Sequence, residues 1–469
     1  MGQKYYMEVR GSMTRFEPLT GEAISRFSED GLTLEEIAEK LAVCGLSMEY
    51  VVHDPSRAFA NTFYADTAQG FYIPLYLSRQ YLSECLNRMQ LEKQRIQAWK
   101  ALEDGEWVRY YHRFVPVPML IYDFQLRYQD IPANQLFHVW HSIYKRIDYS
   151  NGMWRPDILE AVFSNAPSAK QPPVEANGRV TLYRGMGTLS QPPEQAISWS
   201  THPGNALWFA IHCGQGTKIA VARVWPEDIV AYDEGFQQEN EVILRPGTEM
   251  ELSYEDMIPV DKETIPFLFS TALPDFMRYG RQVKKLRYPQ EDFFRVHGIT
   301  HILRVLFLSL LYFHNAGDLL TEEDKQILIY FSLLHDIGRT SDGKETAHGA
   351  QSVELIHKQG IRLKSVQLSR KDYRIAELLI LCHCLEDQQG ISRIHAESGL
   401  SLRDKKRACK LYEICKDMDG LDRVRFNGLD YRRLRTKYAR RLPLVAGCLL
   451  QEPILEVLEN DRLDGAVND

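Results

Sequence analysis

The chain is predicted to be a multidomain α+β protein: a helical amino-terminal region, a β-rich middle and an all-helical carboxy-terminal domain. Three observations predict this. Its 469 residues accommodate roughly three domains at about 150 residues each. Apolar residues follow a helical period near both ends, whereas short β-branched segments separated by turns fill the middle. With 44% apolar and 25% charged residues, the composition builds ordinary cores and excludes a disordered chain.

Residues 1–105 read mainly as helix. Thr33 and Glu36 form a capping-box signature ahead of Ile37, Leu41 and Val43, and a charged amphipathic stretch runs from Leu77 to about Leu102. Glu106–Phe163 is aromatic-rich and mixed, and Ser164–Pro173 is a loop by composition. Strands are expected at Val180–Tyr183, Ala196–Ser200, Lys218–Val224, Ile229–Tyr232, Glu241–Leu244 and Glu249–Tyr254. Past the basic, linker-like Arg281–Pro289, helices are expected at Ile302–Phe313, Glu322–Leu334, Ala350–Ile356, Arg374–Leu381 and Lys405–Cys415. Thr321 and the acidic Glu322, Glu323 and Asp324 start the second of these well. Domain boundaries therefore fall at 1–105, 106–285 and 286–469.

Charge and cysteine usage limit the function classes. A net charge of −7 and an isoelectric point near 6.1 argue against a protein that coats nucleic acid. The longest apolar run, Val305–Phe313, is nine residues with Ser309 inside it, half of the roughly 18 a membrane span needs. Met1–Tyr6 lacks a signal-peptide core, and Tyr6 breaks the myristoylation pattern. Eight scattered cysteines without a CxxC fit a reducing compartment. The expected location is the cytoplasm, or a host cytosol reached without a cleavable signal. Cys382 and Cys384 flank His383; alternate positions on a helix face apart, so both read as small buried side chains and not as metal ligands.

Two constellations carry chemistry. In the β-rich region Arg184-Gly185 ends one strand, Ser198-Trp199-Ser200 ends another, and Glu239-Asn240-Glu241 opens a third. Cleaving a nicotinamide–ribose bond wants these residue types: a carboxylate to stabilise an oxocarbenium-like sugar and an arginine to fork around phosphates. The pattern resembles the Arg–Ser–Glu class of ADP-ribosyltransferases. That resemblance implies NAD as cofactor, bound by Arg184, Gly185, Ser198 and Glu241. It implies Ser198 and Ser200 as the residues shaping the site, Glu241 on the nicotinamide ribose and Glu239 assisting the acceptor. Trp199 departs from the commoner threonine, and its side chain should point away from the two serines.

The second constellation lies in the carboxy-terminal helices. His53-Asp54, followed by Pro55 and Ser56, reads as a turn. His335-Asp336 differs, since it ends an apolar helix and is joined by His297, His301, His348, His383, Asp417 and Asp419. Imidazoles and carboxylates from several helices are what a metal site needs, and an aspartate next to a ligating histidine can bridge two ions. This order resembles the HD superfamily of metal-dependent phosphohydrolases. The likeness implies His301, His335, Asp336 and Asp419 as primary ligands, with His348 and His383 completing a site for two divalent metals, iron or manganese. Arg339 would contact phosphate, Asp417 is the alternate for Asp419, and His297 a supporting or proton-transfer group. His314, His357 and His395 read as structural or surface residues. The basic run Arg403–Arg441, with Lys405-Lys406-Arg407 and Arg432-Arg433-Arg435, reads as a solvated face, or as a rim that draws phosphate to the metals.

Together these imply a bifunctional enzyme that transfers ADP-ribose from NAD to a protein and hydrolyses a phosphodiester or pyrophosphate, acting on the adduct. The pairing is similar in architecture to SidE-type bacterial effectors, which suggests ubiquitin as the acceptor. The alternative is an HD nucleotide phosphohydrolase whose transferase-like part is a degenerate binding module.

Overall fold

The computed structural model describes residues 16–451, apart from residues 29, 56–60, 148–152, 168–169, 189, 213–215, 235–238, 287–296, 318–319, 342, 344 and 427–428. Met1–Tyr6 and the 287–289 end of the basic linker lie outside the described residues.

The amino-terminal region carries a four-stranded sheet beside its helices, which the sequence pattern does not predict. Thr33 and Glu36 do form a reciprocal capping box on helix Leu34–Val43, and helices Arg79–Cys85 and Arg88–Glu103 occupy the charged stretch. With them come β1 (Glu17–Pro18), β2 (Val51–His53), β3 (Thr62–Asp66) and β4 (Phe71–Leu75), a four-stranded antiparallel sheet in sequential order. Every residue of β2 and β3 is buried, so the alternation that betrays a half-exposed strand is missing. The β3–β4 turn closes through Gly70 at φ +64°, a conformation that suits glycine. His53 and Asp54 are also buried, at the end of β2 rather than in an exposed turn.

The aromatic-rich segment forms four helices, Trp107–Arg113, Leu120–Arg127, Ala133–Tyr144 and Pro156–Ser164. They pack around Trp140, which meets Tyr144, Trp154 and Phe163 ring to ring. Their core takes in Phe63 and Tyr72 of the first sheet together with Ile197, Val230 and Ile243 of the middle region. The helical layer therefore joins the two.

The middle region holds a six-stranded antiparallel sheet: β5 (Val180–Gly187), β6 (Ser198–Ser200), β7 (Gly216–Val224), β8 (Ile229–Asp233), β9 (Glu241–Leu244) and β10 (Glu251–Tyr254). Their order is β10-β7-β5-β6-β9-β8. Trp199 is buried in the core of this sheet while Ser198 and Ser200 bond elsewhere, as the period-2 argument requires. Helix Pro203–His212 lies on β5. A Cβ at Gly185 would fall 2.2 Å from the Ala206 carbonyl oxygen, so only glycine permits this approach.

The remaining helices include Ile299–Asn315, Glu322–Leu334, His348–Gln359, Arg370–Cys382 and Leu402–Leu421. Thr321 and Asp324 cap the second of them reciprocally. Helix Thr264–Gly280, upstream of the boundary expected at 286, packs Phe276 on Phe307 and shares this core. The same core reaches Tyr183, Ile211 and Ile219, with Gly447 of helix Pro443–Gln451 pressed against Ile211. Among the described residues no helix is long and apolar enough to cross a membrane. The chain is thus α+β, with two sheets upstream of an all-helical region.

Candidate metal centre and a second polar cluster

Five helix ends deliver the His/Asp set to one place. His301 lies in the first turn of Ile299–Asn315; His335 and His383 follow the last residues of their helices. His348 opens the helix His348–Gln359, and Asp419 sits near the end of Leu402–Leu421. Two close approaches make this possible. A Cβ at Gly338 would lie 2.3 Å from the Ser352 nitrogen, and one at Gly349 would lie 2.5 Å from the Ile380 carbonyl oxygen. Ser352 locks the first contact: its hydroxyl accepts from the Gly338 N–H at 2.9 Å and donates to the His335 carbonyl at 2.7 Å.

Asp336 is the centre of the arrangement. Its Oδ2 lies 3.7 Å from His301 Nε2 and 4.0 Å from His335 Nε2, and Asp419 Oδ1 lies 3.4 and 3.8 Å from the same two nitrogens. Its Oδ1 lies 3.3 Å from His348 Nε2 and 3.4 Å from His383 Nε2. One carboxylate thus addresses two imidazole pairs with different oxygens. Asp336 is only 5% exposed and Oδ1 has no hydrogen-bond partner among the described residues, a costly state for a buried carboxylate unless a cation meets it.

The imidazoles are oriented from behind. The Nδ1 of His335 faces the Ser332 carbonyl at 3.1 Å, that of His348 the Glu345 carbonyl at 2.8 Å and that of His383 the Ile380 carbonyl at 2.6 Å. His301 Nδ1 faces Asp422 Oδ2 at 2.7 Å, and Asp422 also binds Arg304 and Arg425. With Nδ1–H donating outward, each Nε2 lone pair points inward, the tautomer a metal needs. Burial pushes His335 down to about 4 and lowers His348, which favours neutral rings there, whereas at His383 the Asp336 carboxylate outweighs burial and raises the imidazole. Burial raises Asp336, but the imidazoles of His335, His383 and His301 outweigh it and hold the carboxyl well below its usual range. Two borderline nitrogens with two hard oxygens at the His301–His335 pair, and two nitrogens with one oxygen at the His348–His383 pair, fit divalent first-row metals.

Other expected residues fall elsewhere. Asp417 is fully buried and accepts from the Arg435 and Thr436 backbone N–H groups, so it is a structural residue outside the cluster. Arg339 donates to the Ser341 and Gly343 carbonyls and reaches His348 Nδ1 at 3.2 Å; it braces the loop beside the site. His297 meets His301 edge to face, with ring centres 5.7 Å apart. His314 and His357 bond Asp275 and Glu377. Part of the basic run is paired within the fold, Arg407 with Asp324 and Asp372 and Arg435 with Asp387 and Asp417, while Arg432, bonded to Asp430 and Tyr183, and Arg433 stay exposed. Asp422 closes the candidate stretch Asp417–Asp422 in the sequence without a role of its own there; the spacing Asp419-x-x-Asp422, which on a helix brings it to the same side, is the signal for it.

The second cluster forms where β5, β6 and β9 meet helix Ala133–Tyr144. Arg184 donates to the Ser198 carbonyl at 2.6 Å, and the Ser198 hydroxyl donates to Glu241 Oε1 at 2.7 Å. Ser200 donates to the Glu239 carbonyl at 2.7 Å, and Asn205 donates to the same oxygen. Asn240, at φ +50°, makes the bend that turns this carbonyl inward. His141 Nε2 lies 4.0 Å from Glu241 Oε2. Burial pushes Glu241 up to about 7, with Ser198 opposing it. Arg184, Ser198 and Glu241 are thus brought together, and Gly185 packs closely on the helix Pro203–His212.

Residues 298–424 match the family model described as HD domain, a span that contains every member of the metal-ligand set. No curated protein and no solved structure matches the chain. The matched region indicates a metal-dependent hydrolase, a class whose members bind divalent metals.

Proposed function

We propose that residues 298–424 hydrolyse a phosphoester or phosphoanhydride, a nucleotide or ADP-ribosyl group being the substrate class, with two divalent metals held by His301, His335, Asp336, His348, His383 and Asp419. The observation that carries this reading is the split of Asp336 between two imidazole pairs. When bound, two such ions supply Lewis acidity that activates water and neutralises phosphoryl charge. The chain's own residues do the rest. The carbonyls of Ser332, Glu345 and Ile380 and the carboxylate of Asp422 fix the four rings, and Arg339 holds the adjoining loop. Iron or manganese suits the mixed imidazole and carboxylate set. The test is hydrolysis of bis-p-nitrophenyl phosphate and a nucleotide panel by the full chain, with and without added iron(II) or manganese(II). Metal-stimulated turnover that Asp336→Ala abolishes is expected; equal turnover by both proteins refutes the reading.

A second reading is favoured by the Arg184–Ser198–Glu241 contacts: the middle region cleaves NAD and transfers ADP-ribose to a protein, ubiquitin being one acceptor to try. Arg184 would hold NAD phosphates, Glu241 would stabilise the oxocarbenium-like ribose, Ser198 and Ser200 would orient Glu241 and the Glu239 segment, and Glu239 would assist the acceptor. Nicotinamide release from NAD is the measurement. Loss of one such electrostatic stabiliser in Glu241→Gln should cost about 10²–10³ in rate, and no release by the parent protein would leave the transferase-like part a binding module.

A further inference from the structure

The sulfur of Cys384 lies beside the His348–His383 pair. One ring nitrogen of each histidine and the Cys384 Sγ all lie within 4.8 Å of one another. The helix Arg370–Cys382 ends before Cys384, so the helical rule that sends alternate residues to opposite sides does not hold here. Cys382 points into the apolar core and is fully buried, whereas Cys384 is half-buried and turned toward the first turn of His348–Gln359. That turn can approach because residue 349 is glycine: its Cβ would stand 3.2 Å from Cys384 Sγ. The thiol donates to the Thr346 carbonyl at 3.1 Å, which holds it on the side of the histidines. A second observation points to a cation at the same place. Asp336 Oδ1, buried and without a hydrogen-bond partner among the described residues, faces His348 Nε2 and His383 Nε2 at 3.3 and 3.4 Å.

We propose that Cys384 is a thiolate ligand of the second metal position, which it completes with His348, His383 and Asp336 Oδ1. This rests on the two-metal reading of the site. Binding exchanges the S–H bond for a metal–sulfur bond, with the proton leaving to solvent and no change in oxidation state. The two positions then differ in kind. The first is built from two imidazoles and two carboxylates, which tolerates manganese or iron. The second adds a soft sulfur and selects iron, cobalt or zinc over manganese. Because the sulfur is half-buried, oxidation would remove a ligand from one position and spare the other.

The experiment loads the full chain with cobalt(II) alone and records its absorption spectrum and bound metal. The expected result is an intense sulfur-to-cobalt charge-transfer band in the near ultraviolet that is lost in Cys384→Ser and Cys384→Ala and kept in Cys409→Ser. Cobalt should also shield Cys384 from alkylation, read by mass spectrometry, and Cys384→Ser should weaken one of two cobalt sites by at least ~10-fold. Two bound cobalt ions with no sulfur band, or with a band unchanged in Cys384→Ser, overturn the proposal and leave the two-metal reading standing. A chain that binds no cobalt at all sinks both.

Discussion

Asp422 Oδ2 lies 2.7 Å from His301 Nδ1, and both side chains are almost completely buried. The same carboxylate takes hydrogen bonds from Arg304 and Arg425, so it has a fixed direction before any ligand arrives. Its function is to point the Nε2 of His301 at Asp336 and Asp419. Partners of this kind typically contribute 10–100-fold to metal affinity.

Asp422→Asn keeps the shape and removes the charge. One metal position should weaken by about 10–100-fold in chelator competition, while the position at His348 and His383 keeps its affinity. Equal weakening of both, or of neither, would separate His301 from the role described.

Asp336 makes the opposite prediction, because its two oxygens face different pairs. Asp336→Ala should release both metals, whereas His348→Ala should release one. Elemental analysis of protein purified without chelator distinguishes them. Hydrolysis should fall by more than about 10²-fold in Asp336→Ala, the scale of losing a stabiliser of transition-state charge.

How far the sequence exposes this arrangement depends on what burial does to pattern. The six strands of the middle region lie within a few residues of their expected places because β5 and β9 alternate or carry Gly and turn residues at their ends. The first sheet is hidden because Thr62–Asp66 is buried on both sides, so polar and apolar residues do not alternate along it. The metal-ligand set is legible because few residue types bind divalent ions, and their order along the chain survives any uncertainty in helix boundaries. Choosing Asp419 over Asp417 is a different matter. Both sit on one helix, and only tertiary packing shows Asp417 tied to Arg435. The arginines of the basic run are similarly ambiguous until their partners, such as Asp324 and Asp372 for Arg407, are known.

Gly338 is predicted to be intolerant of even one methyl group. Its Cβ would fall 2.3 Å from Ser352 N and 2.4 Å from the Gln351 carbonyl carbon, both rigid backbone atoms of a helix. Overpacking of this kind costs about 1–3 kcal/mol. Gly338→Ala should therefore lower the unfolding free energy by that amount and displace His335 from Ser352, with reduced metal content in the folded fraction. Gly360→Ala, where nothing lies within 4 Å but φ is +61°, is the comparison that separates crowding from backbone strain: it should cost stability and leave metal content unchanged.

Glu241 should make stability fall as pH rises. Burial lifts its carboxyl from an ordinary value near 4.5 to about 7, so between those limits the native state holds a proton that the unfolded chain has released. Stability from this group is present in full below about pH 4.5 and is lost through pH 7, where the native carboxyl ionises in a buried site. Moving the carboxyl from near 4.5 to about 7, at about 1.36 kcal/mol per pH unit, sets an upper bound of about 3 kcal/mol. Glu241→Gln retains a group able to accept from Ser198 and cannot ionise. Its unfolding free energy relative to the parent should therefore climb by about 2–3 kcal/mol between pH 5 and pH 8. Denaturant melts of both proteins at the two pH values measure it. A difference that stays constant with pH would mean that Glu241 titrates as an exposed carboxylate, and the enclosed Arg184–Ser198–Glu241 cluster would lose its claim to be an electrostatically prepared site.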